Sequence, residues 1–237
     1  MENQNLNLAA CNQAAHQKVV IFGTRDLAQL AYYYLGKDSP FEVVAFTVES
    51  EFIDADVVSM PDGMEFSVVA FETLYSTFPP SEFSLFIPVT GRRMNRLRKE
   101  LFEKGQAMGY SFISYISSAA TVFENVIGAN CFILENNTIQ PYASIGDNVV
   151  LWSGNHIGHH SMIGSHTFLT SHIVVSGNCV LGERCWVGVN ASIRDGVTIE
   201  QGTLIGMGSL VTSNTDENGF YLGIPARKQT RSADEVI

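Results

Sequence analysis

The sequence predicts a small α/β domain followed by an all-β parallel β-helix, and three observations carry that prediction. Between Lys18 and about residue 118, short apolar runs alternate with stretches of helical period, as in a layered parallel α/β unit. From Ile127 the chain reads in sixes (IGANCF, ILENNT, IQPYAS, IGDNVV and onward). Fifteen consecutive hexads each begin with Ile, Leu or Val, without an insertion. The fifth hexad residue is always Cys, Asn, Ala, Val, Ser, Thr or Ile, and the second is glycine in seven of the fifteen.

The elements follow in order. Residues 1–17 lack apolar periodicity and read as a mobile tail. VVIFG is a strand ending in Gly23; Asp26 is placed to cap the following helix, LAQLAYYYL. FEVVAFTV (41–48) and SLFIPV (84–89) read as further strands, a long amphipathic helix spans Arg93 to Met108, and YSFISYI carries a strand. Helices stop near residue 120. The α/β domain thus covers 18–118, the β-helix 119–222, and residues 223–237 form a C-terminal tail.

Each hexad supplies one short strand and one corner, and three hexads make one triangular coil. Coils stack at the spacing of paired strands, about 4.8 Å. Residues eighteen apart therefore lie above one another. The leading aliphatic residues fill the prism and the small fifth residues fit its corners. Cys131, Cys179 and Cys185 all occupy the fifth position, where size rather than thiol chemistry accounts for them. Asn137 and Asn155, eighteen apart in that position, are placed to stack as an internal amide pair.

Four of the six histidines fall within GNHIGHHSMIGSH, residues 154–166. His160, His166 and His172 recur every six residues and so point roughly 120° apart, on successive faces of the prism. A metal needs its ligands within about 2.3 Å of one point, so these three build no cage within one chain, and no metal is expected. His159 occupies the third position, with Pro141 one coil before, Gly177 one coil after and Asp195 two coils after. An imidazole beside a glycine N–H offers a general base and an oxyanion donor together. A solvated surface histidine is the alternative.

The formal charge of −10 argues against nucleic acid or an anionic membrane surface as partner. No apolar run reaches the roughly 18 residues of a membrane helix, the N-terminus is polar, and no CxxC pair occurs. A cytoplasmic protein with free thiols is expected.

The hexads with VGVNASI, LIGMGSLV and NTDENGFYLGIPARK, after an α/β half that opens VVIFGTRD, resemble the left-handed β-helix sugar acyltransferases. The resemblance is to the branch with an N-terminal Rossmann-like sugar-nucleotide domain, and it runs from residue 18 to about 228. It implies a homotrimer with active sites between subunits, acyl-CoA as co-substrate and a nucleotide-linked amino sugar as acceptor. His159 would be the catalytic base and Gly177 the oxyanion donor. Gly188 and Gly206 would face the pantetheine arm, with Arg227 and Lys228 at the CoA phosphates. Gly23, Thr24, Arg25, Thr47 and Glu49 would meet the nucleotide, and His160 the substrate beside the base. The implied activity is N-acylation for surface polysaccharide or glycan biosynthesis. The nearest alternative is sugar O-acetylation of the sialic acid type; more distant ones are a β-helix carbonic anhydrase and an inactive trimeric binding module.

Two features depart from the family pattern. Gly158 and His160 flank His159 where relatives carry acids, and Asp195, two coils away at about 9.6 Å by strand spacing, stands too far to orient the imidazole directly. The GTRD turn is far from GxGxxG, so a nicotinamide cofactor is not expected.

Overall fold

The structure, a computed structural model, describes residues 17–237. Apart from Gln17, the predicted tail lies outside the described residues, as does Cys11.

The α/β half is a five-stranded sheet in the order β3-β4-β2-β1-β5. Its strands are β1 (Lys18–Phe22), β2 (Glu42–Val48), β3 (Val57–Ser59), β4 (Glu65–Ala70) and β5 (Ser84–Phe86). β1, β2, β4 and β5 run parallel, and β3 lies antiparallel at the edge. Alternation along β1 sorts its side chains. Val19 and Ile21 pack with helix α1 (Asp26–Asp38); Val20 and Phe22 face α2 (Leu74–Thr77) and α3 (Arg96–Ala107). β3 and β4 have no counterpart among the predicted strands. β3 is only three residues long and partly exposed, so it carries no clear alternation.

Two helix starts differ from expectation. Asp26 is the first helical residue of α1, not its cap; the cap position is Arg25, which makes no side-chain bond to the helix. The N–H groups of Asp26 and Leu27 thus have no acceptor among the described residues. α3 begins at Arg96 rather than Arg93, because Arg93, Met94 and Asn95 have φ values of 54°, 48° and 62°. That left-handed region cannot continue into a right-handed helix.

The second half is the predicted prism, a left-handed parallel β-helix with three walls. One wall runs from Tyr115–Ile116 through Phe132–Ile133, Val150–Leu151, Phe168–Leu169 and Trp186–Val187 to Leu204–Ile205 and Gly219–Leu222. The second contains Thr138–Ile139, His156–Ile157, Val174–Val175 and Ser192–Ile193; the third contains Ser144–Ile145, Met162–Ile163, Val180–Leu181 and Thr198–Ile199. Thr138 pairs with His156, His156 with Val174 and Val174 with Ser192, each eighteen residues on. Every leading hexad residue from Ile133 to Val211 is buried, and so is every fifth residue from Cys131 to Thr215. Asn137 and Asn155 are buried but do not bond to each other. Both Nδ2 groups donate to the Trp152 carbonyl, at 2.9 and 2.5 Å.

The β-helix extends past both predicted boundaries. Its first strand, Tyr115–Ile116, pairs with Phe132–Ile133 at a spacing of seventeen, outside the hexad register, so the array begins before residue 119. Residues 223–237 are not a free tail. Arg227–Ser232 pairs antiparallel with Gly219–Leu222, and Arg96 holds Asp234 through two bonds of 2.6 and 2.7 Å.

From Asn130 to Gly208 the fourth hexad residue turns each corner with positive φ. Asn130, Asn136, Asn148, Asn178 and Asn190 adopt it, as do Gly154, Gly196, Gly202 and Gly208, together with His160 (59°), His166 (63°) and His172 (58°). Among residues with a Cβ, Asn and His are enriched in this region. Backbone geometry therefore explains why these histidines recur in sixes, and their surroundings differ. His160 lies on Tyr142, His166 is buried against Phe102, and the His172 ring covers Gly154.

The two halves are locked together through the first wall. Phe132, Val150 and Phe168 join the core beneath α1. Asn130 accepts from Ile87 N–H at 2.8 Å and donates to its carbonyl at 3.2 Å. Arg98, fully buried, donates to the Val89 carbonyl and to Asn148 through its carbonyl and Oδ1. Burial without a carboxylate partner pulls the Arg98 guanidinium down to about 10. Asn148 Nδ2 donates to His166 Nδ1 at 2.9 Å, which puts that ring's proton on Nε2. Burial first, then the charge of Lys99, pushes His166 down to about 4, so the ring is neutral in the folded protein. No helix among the described residues is long and apolar enough to cross a membrane.

Candidate active site

The candidate chemistry lies on the corner between the second and third walls, where residues 140–143, 158–161, 176–179 and 194–197 form stacked turns. Gly158 is required by the stack itself. A Cβ there would lie 2.5 Å from the Ser176 carbonyl carbon and 2.6 Å from the Gly177 nitrogen. The tight turn leaves His159 exposed, its backbone N–H donating to Gln140 Oε1 at 2.9 Å.

The His159 ring extends along the column onto Gly177. A Cβ on Gly177 would lie 2.6 Å from His159 Cε1, 2.8 Å from Nε2 and 2.9 Å from Asp195 Oδ1. Imidazole and carboxylate thus converge from opposite sides on the space that glycine leaves open. The two atoms are therefore at most about 6 Å apart. Asp195 makes no hydrogen bond or ion pair with His159, so it does not orient the imidazole directly; the two side chains share only the space over Gly177. Strand spacing sets the distance between backbones, and both side chains reach inward. The Gly177 N–H has no acceptor among the described residues, so it is available to an oxyanion as its place in the column suggests.

At the other end of the ring, His159 Nδ1 lies 3.1 Å from His160 Nδ1. One bridging proton joins the two nitrogens. With that proton on His159, its Nε2 carries the lone pair that faces Gly177. His160 is held for this by its left-handed backbone and by Tyr142, whose ring centroid lies 4.8 Å from its own. It therefore occupies the place of the missing neighbouring acid. Its expected role as a substrate contact concerns the rest of the ring, since Nδ1 is engaged.

The other predicted residues form separate groups. Thr24 and Arg25 line a cleft of about 280 Å³ with Phe52, Asp54, Val57 and Val68, beyond the carboxyl ends of β1 and β2. Gly23 turns the chain at φ 104° and donates to the Thr47 carbonyl at 2.8 Å. Arg25 meets Asp54 at 3.4 Å, an exposed pair of little energetic weight. Thr47 is fully buried and donates to the Val69 carbonyl at 2.7 Å, so it supports the cleft from beneath rather than facing a ligand. Glu49 accepts from Lys104 Nζ at 2.7 Å and is not among the cleft-lining residues, and this bond raises the lysine's pKa.

Gly188 and Gly206 answer to packing. A Cβ on either would meet the next layer, Met207 N at 2.5 Å for Gly188 and the Leu222 side chain for Gly206. Lys228 is held by Asp216 at 2.8 Å, whereas the Arg227 guanidinium has no partner among the described residues. No group of three His, Cys, Asp or Glu side chains among the described residues is arranged to hold a metal ion. Sequence reasoning missed the approach of Asp195 and the roles of Gln140 and Tyr142. Their columns were the available signal: Tyr142 lies one turn of eighteen before His160, Gln140 one turn before Gly158, and Asp195 two turns after His159.

Residues 126–159 and 178–213 match the family model described as bacterial transferase hexapeptide (six repeats). No curated protein matches the chain in sequence. Among solved structures, the chain is similar to PerB from Caulobacter crescentus, in complex with CoA and GDP-perosamine. That likeness has 24% identity and a TM-score of 0.77, covering 91% of this chain and 98% of PerB. The acetyltransferase domain of PglB from Neisseria gonorrhoeae is 19% identical over 90% of this chain and 100% of its own, with a TM-score of 0.77. WeeI from Acinetobacter baumannii is 16% identical over 90% and 100%, with a TM-score of 0.74. Two stretches of the second half thus match that repeat model, and the whole chain shares with these structures one two-part fold, an α/β domain followed by a parallel β-helix.

Proposed function

We propose that the protein is an acyl-CoA-dependent N-acyltransferase acting on the amino group of a nucleotide-linked amino sugar. The observation that carries this reading is the His159 corner: a base with Nε2 turned toward a glycine whose N–H has no acceptor among the described residues. The complex of PerB with CoA and GDP-perosamine supports the substrate class. The acceptor first loses one proton, as an ammonium, to solvent. Its neutral nitrogen then attacks the thioester carbonyl, the new C–N bond forms, and the carbonyl oxygen takes negative charge against the Gly177 N–H. His159 Nε2 accepts the second proton, the C–S bond breaks, and the proton passes to the departing thiolate, leaving an amide and free CoA.

The cleft beside Thr24 and Arg25, next to the uncapped start of α1, suits the phosphates of the nucleotide. Arg227 remains for the phosphates of CoA. The exposed Val126, Met162 and Val180 on the third wall support a homotrimer in which a second copy covers them. We place the protein in the cytoplasm, in glycan biosynthesis.

The test follows free thiol release from acetyl-CoA and longer acyl-CoAs in the presence of GDP-, UDP- and dTDP-linked amino sugars. Release that depends on an amino-sugar nucleotide is expected. Its absence with every pair overturns the reading.

A further inference from the structure

Two hydrogen-bond acceptors face one gap at the His159 corner, and the inference drawn from them rests on the acyl-transfer reading of that corner. His159 Nε2 and Asp195 Oδ1 both lean over Gly177, 2.8 and 2.9 Å from the point where a Cβ would stand. They form no ion pair with each other, so the gap is wider than direct contact. Two hydrogen bonds of ordinary length drawn to a single tetrahedral atom place their acceptors about 4.5–5 Å apart, a span that fits this gap, so one heteroatom can bridge both groups.

The hydrogen count selects that atom. Asp195 is exposed, and a carboxylate only accepts hydrogen bonds. His159 Nε2 also accepts when the proton on Nδ1 is shared with His160. A hydroxyl has one hydrogen: satisfying the imidazole leaves the carboxylate facing an oxygen lone pair. A neutral amine has two, and an ammonium has three together with a complementary charge. His159 and Asp195 face the gap itself; His160 meets the far end of the His159 ring, with Tyr142 behind it, and Gln140 accepts from the His159 backbone N–H.

We propose that Asp195 is the residue that selects an amine over a hydroxyl acceptor, by holding one N–H of the attacking nitrogen while His159 Nε2 receives another. Gly177 is then needed twice, for its N–H and for the missing Cβ that lets the two side chains meet a single atom.

The test compares binding, in the presence of CoA, of GDP-perosamine with the counterpart bearing a hydroxyl at the same carbon; UDP- and dTDP-linked pairs are measured alongside. Wild-type protein is expected to hold the amine at least tenfold more tightly. Asp195→Asn, which offers an N–H in place of one acceptor oxygen, should shrink that preference at least tenfold with CoA affinity unchanged. Asp195→Glu, which retains the carboxylate, should restore part of it. An unaltered preference in a normally folded Asp195→Asn protein overturns the assignment while leaving the acyl-transfer reading intact. Wild-type protein that acylates no amino-sugar nucleotide overturns both.

Discussion

Gly177→Ala isolates the geometry of the corner with little change elsewhere. The added Cβ would stand 2.6 Å from His159 Cε1, 2.8 Å from Nε2 and 2.9 Å from Asp195 Oδ1. Carbon contacts relax to about 3.5–4 Å, so the imidazole must move by roughly 1 Å. The backbone at 177 does not have the positive φ that would strain an alanine. Both displaced side chains are exposed and free to swing outward, so the coil itself stays intact. A displacement of this size at a reacting group costs on the order of 100-fold in rate, or about 2.7 kcal/mol of transition-state stabilisation. Thiol release from acetyl-CoA should thus fall about 100-fold in kcat/KM. CoA affinity and the thermal transition should stay close to wild type. A variant that turns over at the wild-type rate would refute the reasoning, because it would mean that the base works from another position.

The corner geometry makes a separate stability prediction at His172, which has φ 58°. His172→Val should cost about 1–2 kcal/mol in urea unfolding, because a β-branched residue resists that conformation, whereas His172→Gly should be nearly neutral. His166 gives a pH dependence. Its folded pKa is about 4, against an unfolded value near 6.5. The stability it contributes is whole above pH 6.5. It declines as the pH falls toward 4, because the unfolded chain takes up a proton that the folded chain refuses; the loss is up to roughly 3 kcal/mol. Unfolding free energies at pH 7.5 and pH 5 should differ accordingly, and less so in His166→Asn, which keeps a residue tolerant of the left-handed corner.

The prism was legible because one rule, an aliphatic residue every six, fixes the interior, the corners and the stacking of residues eighteen apart together. The same register singled out His159 and Gly177 as neighbours. The corner histidines were legible only in part. Their shared position was plain, but its left-handed backbone, visible in the Asn, Gly and His of the fourth column, was not used to explain them. That Asp195 leans over the same glycine as His159 was not legible, because a distance between backbones says nothing of how far two side chains lean across a residue without a Cβ. In the α/β half, β3 escaped because it is a short, partly exposed edge strand, and β4 because its apolar stretch is broken by Ser67, so neither has the continuous apolar run that marks β2. The hairpin of Arg227–Ser232 escaped because its strand is mostly polar on both faces, as an edge strand can be. The docking of α3 through Arg98 was likewise hidden, since a fully buried arginine bonded to carbonyls reads in sequence as one more cation on an amphipathic helix.

The central claim, that His159 is the base for acyl transfer, is tested most directly by His159→Ala. The measurement is steady-state thiol release from acetyl-CoA with whichever amino-sugar nucleotide the wild-type protein accepts. Removing a positioned base should lower kcat by about 10²–10⁴-fold with CoA binding retained. A variant that keeps the wild-type kcat would contradict the assignment.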